Sequence, residues 1–555
     1  MDTENHDTLV LEDKRTGGDK APRVFSILKP GRRMMALGLI IILVSSAAAY
    51  FLISFFARPS VIGILEVEGA LLTNDQAALY SQAIMEAMLN ESIRGVVLKV
   101  DSPGGYADLV EQVYLDLLEL KTRKPLVASV TMALSGGYYI SVASDYIYAH
   151  PSAMVGNIGI IGVGPPILVP SETVLESGVH KATGYSRLLF SFNMSRVLEN
   201  FVKAVELARG NRLKLPSNVL RRGSIYMGSE AVEAGLADEL GSVESALKRV
   251  AQAAGVVRYS VVDLVESVKT RFKVDANVEE QALWVNLTVD MLNQFHPPPS
   301  IYFLYLPTNN SLYSQPMTAQ SFGGWTGGES KSLVLVDMSH GNMVNYWDLE
   351  VLARELMLRN ATISLMSSWS MLESKLDSAK GVIIAAPTLP YSEEQVERLK
   401  SFVESGKTLV VIYDPAEEYV KIPDLTWPVN SLSMGFGIFF NSGYLYDENQ
   451  FFGMYRNIYI EGFRNHTLTL NLSRIVLFTS TGICSTGKGV AWTSNTTFSS
   501  VAETAKMYDV ISVVELKGAV IAIGDITFMQ EPYCYVEDNY RLVQNLASMI
   551  TGGGK

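Results

Sequence analysis

The stretch Thr131-Met132-Ala133-Leu134-Ser135-Gly136-Gly137-Tyr138-Tyr139 decides the reading of this chain. Upstream, Leu126 to Val130 is strand-like. Downstream, a small-residue stretch to Ser144 reads as helix, and Asp145-Tyr146-Ile147-Tyr148-Ala149 follows. A small hydroxyl at a strand-to-helix junction, followed by two glycines, puts its Oγ at a helix N-terminus. Free backbone N–H groups gather there and favour developing negative charge. Glycines also let a substrate backbone come close. Taken alone, the segment reads as an N-cap serine, a common use of the residue.

A second glycine-rich junction changes that reading. Gly95 to Val100 reads as a buried strand, Asp101-Ser102-Pro103-Gly104-Gly105-Tyr106 as a turn, and Val110, Val113, Leu117 and Leu120 recur at helical spacing. Two strand–turn–helix units in tandem aim N–H groups at the carboxyl end of one parallel sheet, where ligands bind. One turn can carry a nucleophile and the other can donate N–H groups to an oxyanion.

Further segments follow in order: Val155-Gly156-Asn157-Ile158-Gly159, Glu176-Ser177-Gly178-Val179-His180-Lys181, and Tyr226-Met227-Gly228 through Ala234-Gly235-Leu236-Ala237-Asp238-Glu239-Leu240-Gly241. With the two glycine turns, these resemble the signal peptide peptidase A family of membrane-anchored serine proteases, over roughly Val61 to Pro307. The resemblance implies an α/β fold of the Clp protease/crotonase-like spiral type and a Ser-Lys dyad. Ser135 would be the nucleophile and Lys181 the general base. The N–H groups of Gly105 and Gly136 would be the oxyanion donors, with Gly104 beside them. The family usually has Ser where this chain has Asn157, so an amide would take over any orienting role of that hydroxyl. The resemblance also implies a homo-oligomer acting on peptide or protein substrates, with no cofactor and no metal.

The chemistry is coherent on its own terms. A serine hydroxyl is a weak nucleophile and needs an adjacent base. A lysine serves when burial disfavours its charged form, and Val179 and Ala182 flank Lys181 with apolar side chains. The competing arrangement is a Ser-His-Asp triad. Of the six histidines, His6 precedes the apolar run near the N-terminus and His340 and His466 lie in the C-terminal part, leaving His150, His180 and His296.

The 555 residues imply more than one domain. Mean hydropathy is +0.18. The net charge of −12, without a basic stripe, argues against a nucleic-acid partner. Met34 to Phe56 is 23 residues without a charge, long enough for a bilayer of ~30 Å hydrocarbon. Ala47-Ala48-Ala49 lies inside that run, which predicts an uncleaved anchor. Lys14, Arg15, Lys20, Arg23, Lys29, Arg32 and Arg33 precede it and only Arg58 soon follows, so the N-terminus is expected in the cytoplasm and the rest outside.

The expected organisation is a disordered basic tail (1–33), an anchor (34–56), the protease-like region (60–307), a Gly/Ser/Asn-rich linker (308–331) and a C-terminal α/β domain (332–552) without catalysis. Eight sequons (Asn90, Asn193, Asn286, Asn309, Asn360, Asn465, Asn471 and Asn495) follow the run, several of them expected to be buried. Cys484 and Cys534 form one bridge or stay as two buried thiols.

In the last region, strands at Leu333–Val336, 361–366, 381–386 and 408–413 alternate with helices, one opened by a capping box at Ser392. This faintly resembles the class I glutamine amidotransferase-like fold. Gly482 to Gly489 nearly fits a phosphate-binding loop, but Gly489 stands where a hydroxyl is required and a strand follows. Asp337, His340 and Asp414 follow strands and either line a cleft or cap turns.

The functional expectation is a membrane-anchored serine endopeptidase that cuts residual signal peptides or other membrane-proximal polypeptides. The alternatives are a catalytically silent scaffold that binds peptides or organises an envelope complex, and the related membrane protease that trims stomatin-like proteins.

Overall fold

The computed structural model describes residues 32–56, 60–165, 178–272, 287–306, 332–416, 425–502 and 504–552. The chain forms two compact units, Met1–Pro59 and Ser60–Lys555. The first holds helix α1 (Arg32–Phe56). The helical expectation for this stretch holds, but the spanning one does not follow. Residues of α1 with described side chains end at Tyr50, and no helix among the described residues is long and apolar enough to cross a membrane. The basic tail before Arg32 and the whole of the Gly/Ser/Asn-rich linker (308–331) lie outside the described residues.

The second unit is mixed α/β. Strands β1 (Val61–Glu68), β2 (Ile93–Ser102), β4 (Leu126–Leu134) and β5 (Tyr146–Gly156) pair in parallel. The full path runs β7–β5–β4–β2–β1–β9, with β7 (Ile225–Met227) antiparallel at one edge and β9 (Ser260–Asp263) parallel at the other; β8 (Glu239–Leu240) also pairs with β5. Val96, Val97, Leu98 and Val100 of β2 are completely buried. Burial on both faces is what a continuous apolar run in a parallel sheet predicts. Helices α2 (Asn74–Leu89) and α3 (Ala107–Lys121) cover one face. Thr73 opens α2 with a capping box to Gln76.

A second, small sheet stands over the carboxyl ends of β2 and β4. It consists of β3 (Gly104–Tyr106), β10 (Ser300–Leu304) and β6 (Ile161–Val163), in the order β3–β10–β6. The short β10 is therefore the middle strand of a sheet, antiparallel to both neighbours.

Residues 332–552 build a third sheet. Strands β11 (Ser332–Asp337), β12 (Ala361–Met366), β13 (Ala379–Ala385) and β14 (Thr408–Ile412) are parallel, as expected from their alternation with helices. Ala519–Ile523 continues the parallel set and Asp509–Glu515 turns antiparallel. The capping box at Ser392 is present and its helix runs Glu393–Glu404. The 482–489 segment forms parts of two strands, Ile483–Ser485 and Lys488–Trp492, with no helix after it, which removes the phosphate-loop reading. This sheet has cores of its own, distinct from the core beneath β2 and β4. It also touches the rest through helix α5 (Phe190–Arg209) and the segment after it. Phe192 meets Phe452 edge-on at 4.9 Å, Ser195 Oγ donates to the Gly453 carbonyl, and Arg222 pairs with Glu448 at 2.6 Å.

Asn90, Asn360, Asn465, Asn471 and Asn495 are exposed and Asn193 is half-buried. Burial of several sequons is thus not what the described residues show, and Asn286 and Asn309 lie outside them. Both cysteines are free, Cys484 exposed and Cys534 buried, so neither the bridge nor the pair of buried thiols is found.

Candidate active site

Ser135 stands between β4 and helix α4 (Gly136–Ser141) with φ +50° and ψ −114°. An L-residue there is strained by about 1–3 kcal/mol, a cost that persists only where the surroundings over-determine it. Its N–H donates to the Gly156 carbonyl at 2.9 Å and its own carbonyl accepts from Tyr139 N at 3.0 Å. The residue is 1% exposed, and its side chain does not cap α4. The N-cap explanation is therefore excluded: the hydroxyl is held in a costly conformation and left out of the helix's hydrogen bonding.

The two glycine turns meet as the sequence suggests. A Cβ on Gly104 would lie 2.7 Å from Gly136 N, and one on Gly137 would lie 2.5 Å from the Ser102 carbonyl. Only glycine permits this backbone-to-backbone contact, and Gly104 has φ +108° besides. Gly105 packs on Leu71, where a Cβ would fall 2.1 Å from the carbonyl oxygen. Ser102 Oγ braces the turn by donating to the Gly69 carbonyl at 2.6 Å and accepting from Gly104 N at 3.1 Å.

The other expected residues are placed differently. Asn157 sits at φ +53°, a left-handed position that suits asparagine, and its amide Nδ2 donates to the Gly223 carbonyl at 2.8 Å. It braces the 223–224 turn rather than a lysine. Lys181 is exposed, in a turn closed by its N–H to the Gly178 carbonyl at 2.9 Å. The apolar setting suggested by its flanking residues is absent, because Val179 is 84% exposed. Among the described residues no hydrogen bond joins Lys181 to Ser135. Among the described residues no histidine is hydrogen-bonded to Ser135 either: His180 is exposed, His150 Nε2 is buried without a hydrogen-bond partner, and His296 stacks on Tyr106 at 3.6 Å with Nε2 against the Leu72 carbonyl.

The Ala234–Gly241 segment has a structural purpose. Tyr138 donates its hydroxyl to the Leu236 carbonyl at 2.8 Å, tying the helix after Ser135 to this turn. Asp238 takes both Arg209 nitrogens at 2.9 Å each and Arg212 at 2.9 Å. Burial pushes the Asp238 carboxyl up, but the Arg209 pair, the Ile147 N–H and Arg212 outweigh it and hold it below the usual range.

In 332–552, Asp337 and His340 do come together. His340 Nδ1 lies 2.8 Å from Asp337 Oδ2, and Tyr391, which sequence reading missed, stacks on the imidazole at 3.7 Å and donates its hydroxyl to the same carboxylate at 2.5 Å. Burial raises Asp337, yet the bonds from His340, Ser339 and Tyr391 bring it below the ordinary value. Asp414 is instead beside Asp525, whose complete burial and like-charged neighbour push its carboxyl far up. Both clusters have their bonds satisfied internally, as structural polar networks do. A cavity of about 410 Å³ lined by Lys121, Arg123, Asp145, Tyr146 and Arg249 opens where β4 begins, at the opposite end of the strand from Ser135.

A strained serine at a strand-to-helix junction, backed by two interlocked glycine turns on a parallel α/β sheet, defines the class. Residues 119–167 match the family model of Peptidase family S49. It is similar to Protease 4 of Salmonella typhi, 27% identical over 216 residues, covering 35% of this chain and 34% of that protein. It is also similar to a putative signal peptide peptidase SppA of Enterococcus faecium, 29% identical over 211 residues, 33% of this chain and 60% of the relative. The chain thus matches about a third of the Protease 4 length. A solved membrane-bound stomatin-specific protease aligns at 15% identity and a TM-score of 0.25, covering 37% of this chain and 89% of its own, a likeness too low to carry an argument.

Proposed function

We propose that this chain is a serine endopeptidase, with Ser135 as nucleophile, Lys181 as general base and the Gly105 and Gly136 N–H groups as oxyanion donors. One observation carries the reading: Ser135 is buried and strained and does not cap the helix it precedes. Strain of this kind collects at reacting residues. In the reaction Ser135 Oγ attacks a peptide carbonyl, its proton passes to the base and then to the leaving amine, and water hydrolyses the resulting ester. The reading requires Lys181 to move from its exposed turn to Ser135.

The substrates on this reading are residual signal peptides or other membrane-proximal polypeptides outside the cytoplasm, and the enzyme works as a homo-oligomer of spiral domains. Attachment to the membrane rests on the charge-free run 34–56 and the basic residues before it. The C-terminal α/β domain serves substrate choice or assembly. The exposed Lys181 favours a second reading, a catalytically silent peptide-binding scaffold. A fluorophosphonate probe separates the two: the peptidase is labelled at Ser135, as peptide mapping would show, and the scaffold is not.

A further inference from the structure

We infer that β10, the chain's own Ser300–Leu304, lies in the substrate groove as a built-in substrate mimic, and that the groove takes an extended peptide with an aromatic side chain at the position of Phe303. The chemistry of this inference rests on the peptidase reading above; its geometry stands separately.

The groove is the slot between β3 and β6. β3 contains the Gly104-Gly105 turn and β6 follows the Gly156–Gly159 segment, and among the described residues the two are joined through β10, antiparallel to both: Phe303 faces Gly105, Ser300 faces Val163 and Tyr302 lies between Tyr106 and Ile161. Strand addition between such edges is a general way to hold an extended peptide.

The Phe303 carbonyl lies where a scissile carbonyl belongs. Tyr305 N–H donates to the Pro103 carbonyl at 2.8 Å. Antiparallel ladders alternate every second residue, so Gly105 and Phe303 form the next closely bonded pair and Gly105 N–H points at the Phe303 oxygen. That oxygen is 1.9 Å from where a Cβ of Gly104 would be and 2.8 Å from where a Cβ of Gly136 would be. It therefore rests over both turns, the second of which begins with the residue after Ser135. Any side chain on Gly104 would drive it out.

The Phe303 side chain is fully buried against the helix that follows Ser135. Its ring stacks on Tyr139 at 5.1 Å and 15°, and meets Phe201 at 5.2 Å and 61°. This is a ready pocket for a flat apolar ring. On the other face Tyr302 packs edge-on to Tyr106 at 5.4 Å. A tethered occupant competes at a high effective concentration, so free peptide enters only when β10 leaves.

The test is fluorescence anisotropy of a labelled, end-blocked pentapeptide Ser-Ile-Tyr-Phe-Leu against the full chain. The intact protein should not bind it. Phe303→Ala should bind it at least tenfold more tightly than the intact protein does, and should bind the version with Ala in place of Phe at least tenfold more weakly. Ile301→Pro, which disrupts the strand at a half-buried position, should open the groove in the same way if Phe303→Ala does not fold. Equal binding by intact and folded variant proteins, or no preference for Phe over Ala, overturns the inference. If the variants bind the peptide but Ser135 takes no fluorophosphonate, the groove stands and the peptidase reading falls.

Discussion

The backbone of Ser135 yields a prediction that pits stability against activity. At φ +50° and ψ −114° a residue with a Cβ is strained by about 1–3 kcal/mol, whereas glycine is not. Ser135→Ala keeps the Cβ and the strain. Ser135→Gly removes both, though the freer unfolded chain takes back about 0.5–1 kcal/mol. The glycine variant should therefore exceed the alanine variant by about 1 kcal/mol. Urea unfolding of the two full-length variants, followed by hydrogen exchange of the β4 amides, reads this directly. With a slope near 3 kcal/mol/M the midpoint for β4 should rise by about 0.3 M. Both variants should lose fluorophosphonate labelling. A glycine variant no more stable than the alanine variant would refute the claim that strain is stored here, and with it the strongest structural reason to call Ser135 a nucleophile.

Lys181→Ala should abolish labelling of Ser135 while leaving β4 exchange unchanged, because the side chain is exposed; labelling at the original rate would remove Lys181 from the mechanism. Asp238→Asn should cost about 3–5 kcal/mol by leaving buried Arg209 unpaired, as chemical denaturation would show. The Asp238 carboxyl is held below its usual value in the fold, so its contribution is present above about pH 4 and lost as pH falls through the folded value; the variant's stability should lose that part of the acid dependence. Of the two thiols, only Cys484 should react rapidly with an aromatic disulfide in the native chain, since burial pushes Cys534 up to about 11; two fast equivalents would contradict its burial.

Local patterns were readable from the residues themselves. The strand at 361–366, the capping box at Ser392 and the two strand–glycine–helix units all appear where periodicity and turn chemistry placed them. Such signals are encoded within about ten neighbouring residues and survive whatever the rest of the chain does. The meeting of the Gly104 and Gly136 turns was also legible, because adjacent parallel strands end on the same side of a sheet.

What only tertiary structure decided are the partnerships between distant segments. The sequence around Ile301 does not show that it fills the slot between β3 and β6, nor that Phe303 lies on Tyr139. It shows a serine at a junction but not its positive φ, which the surrounding backbone imposes. Lys181 looked shielded by its neighbours in sequence, yet in a turn the flanking side chains point outward and shield nothing. A hydrophobic pattern says that a side chain needs burial; which distant surface buries it depends on the packing of the whole unit.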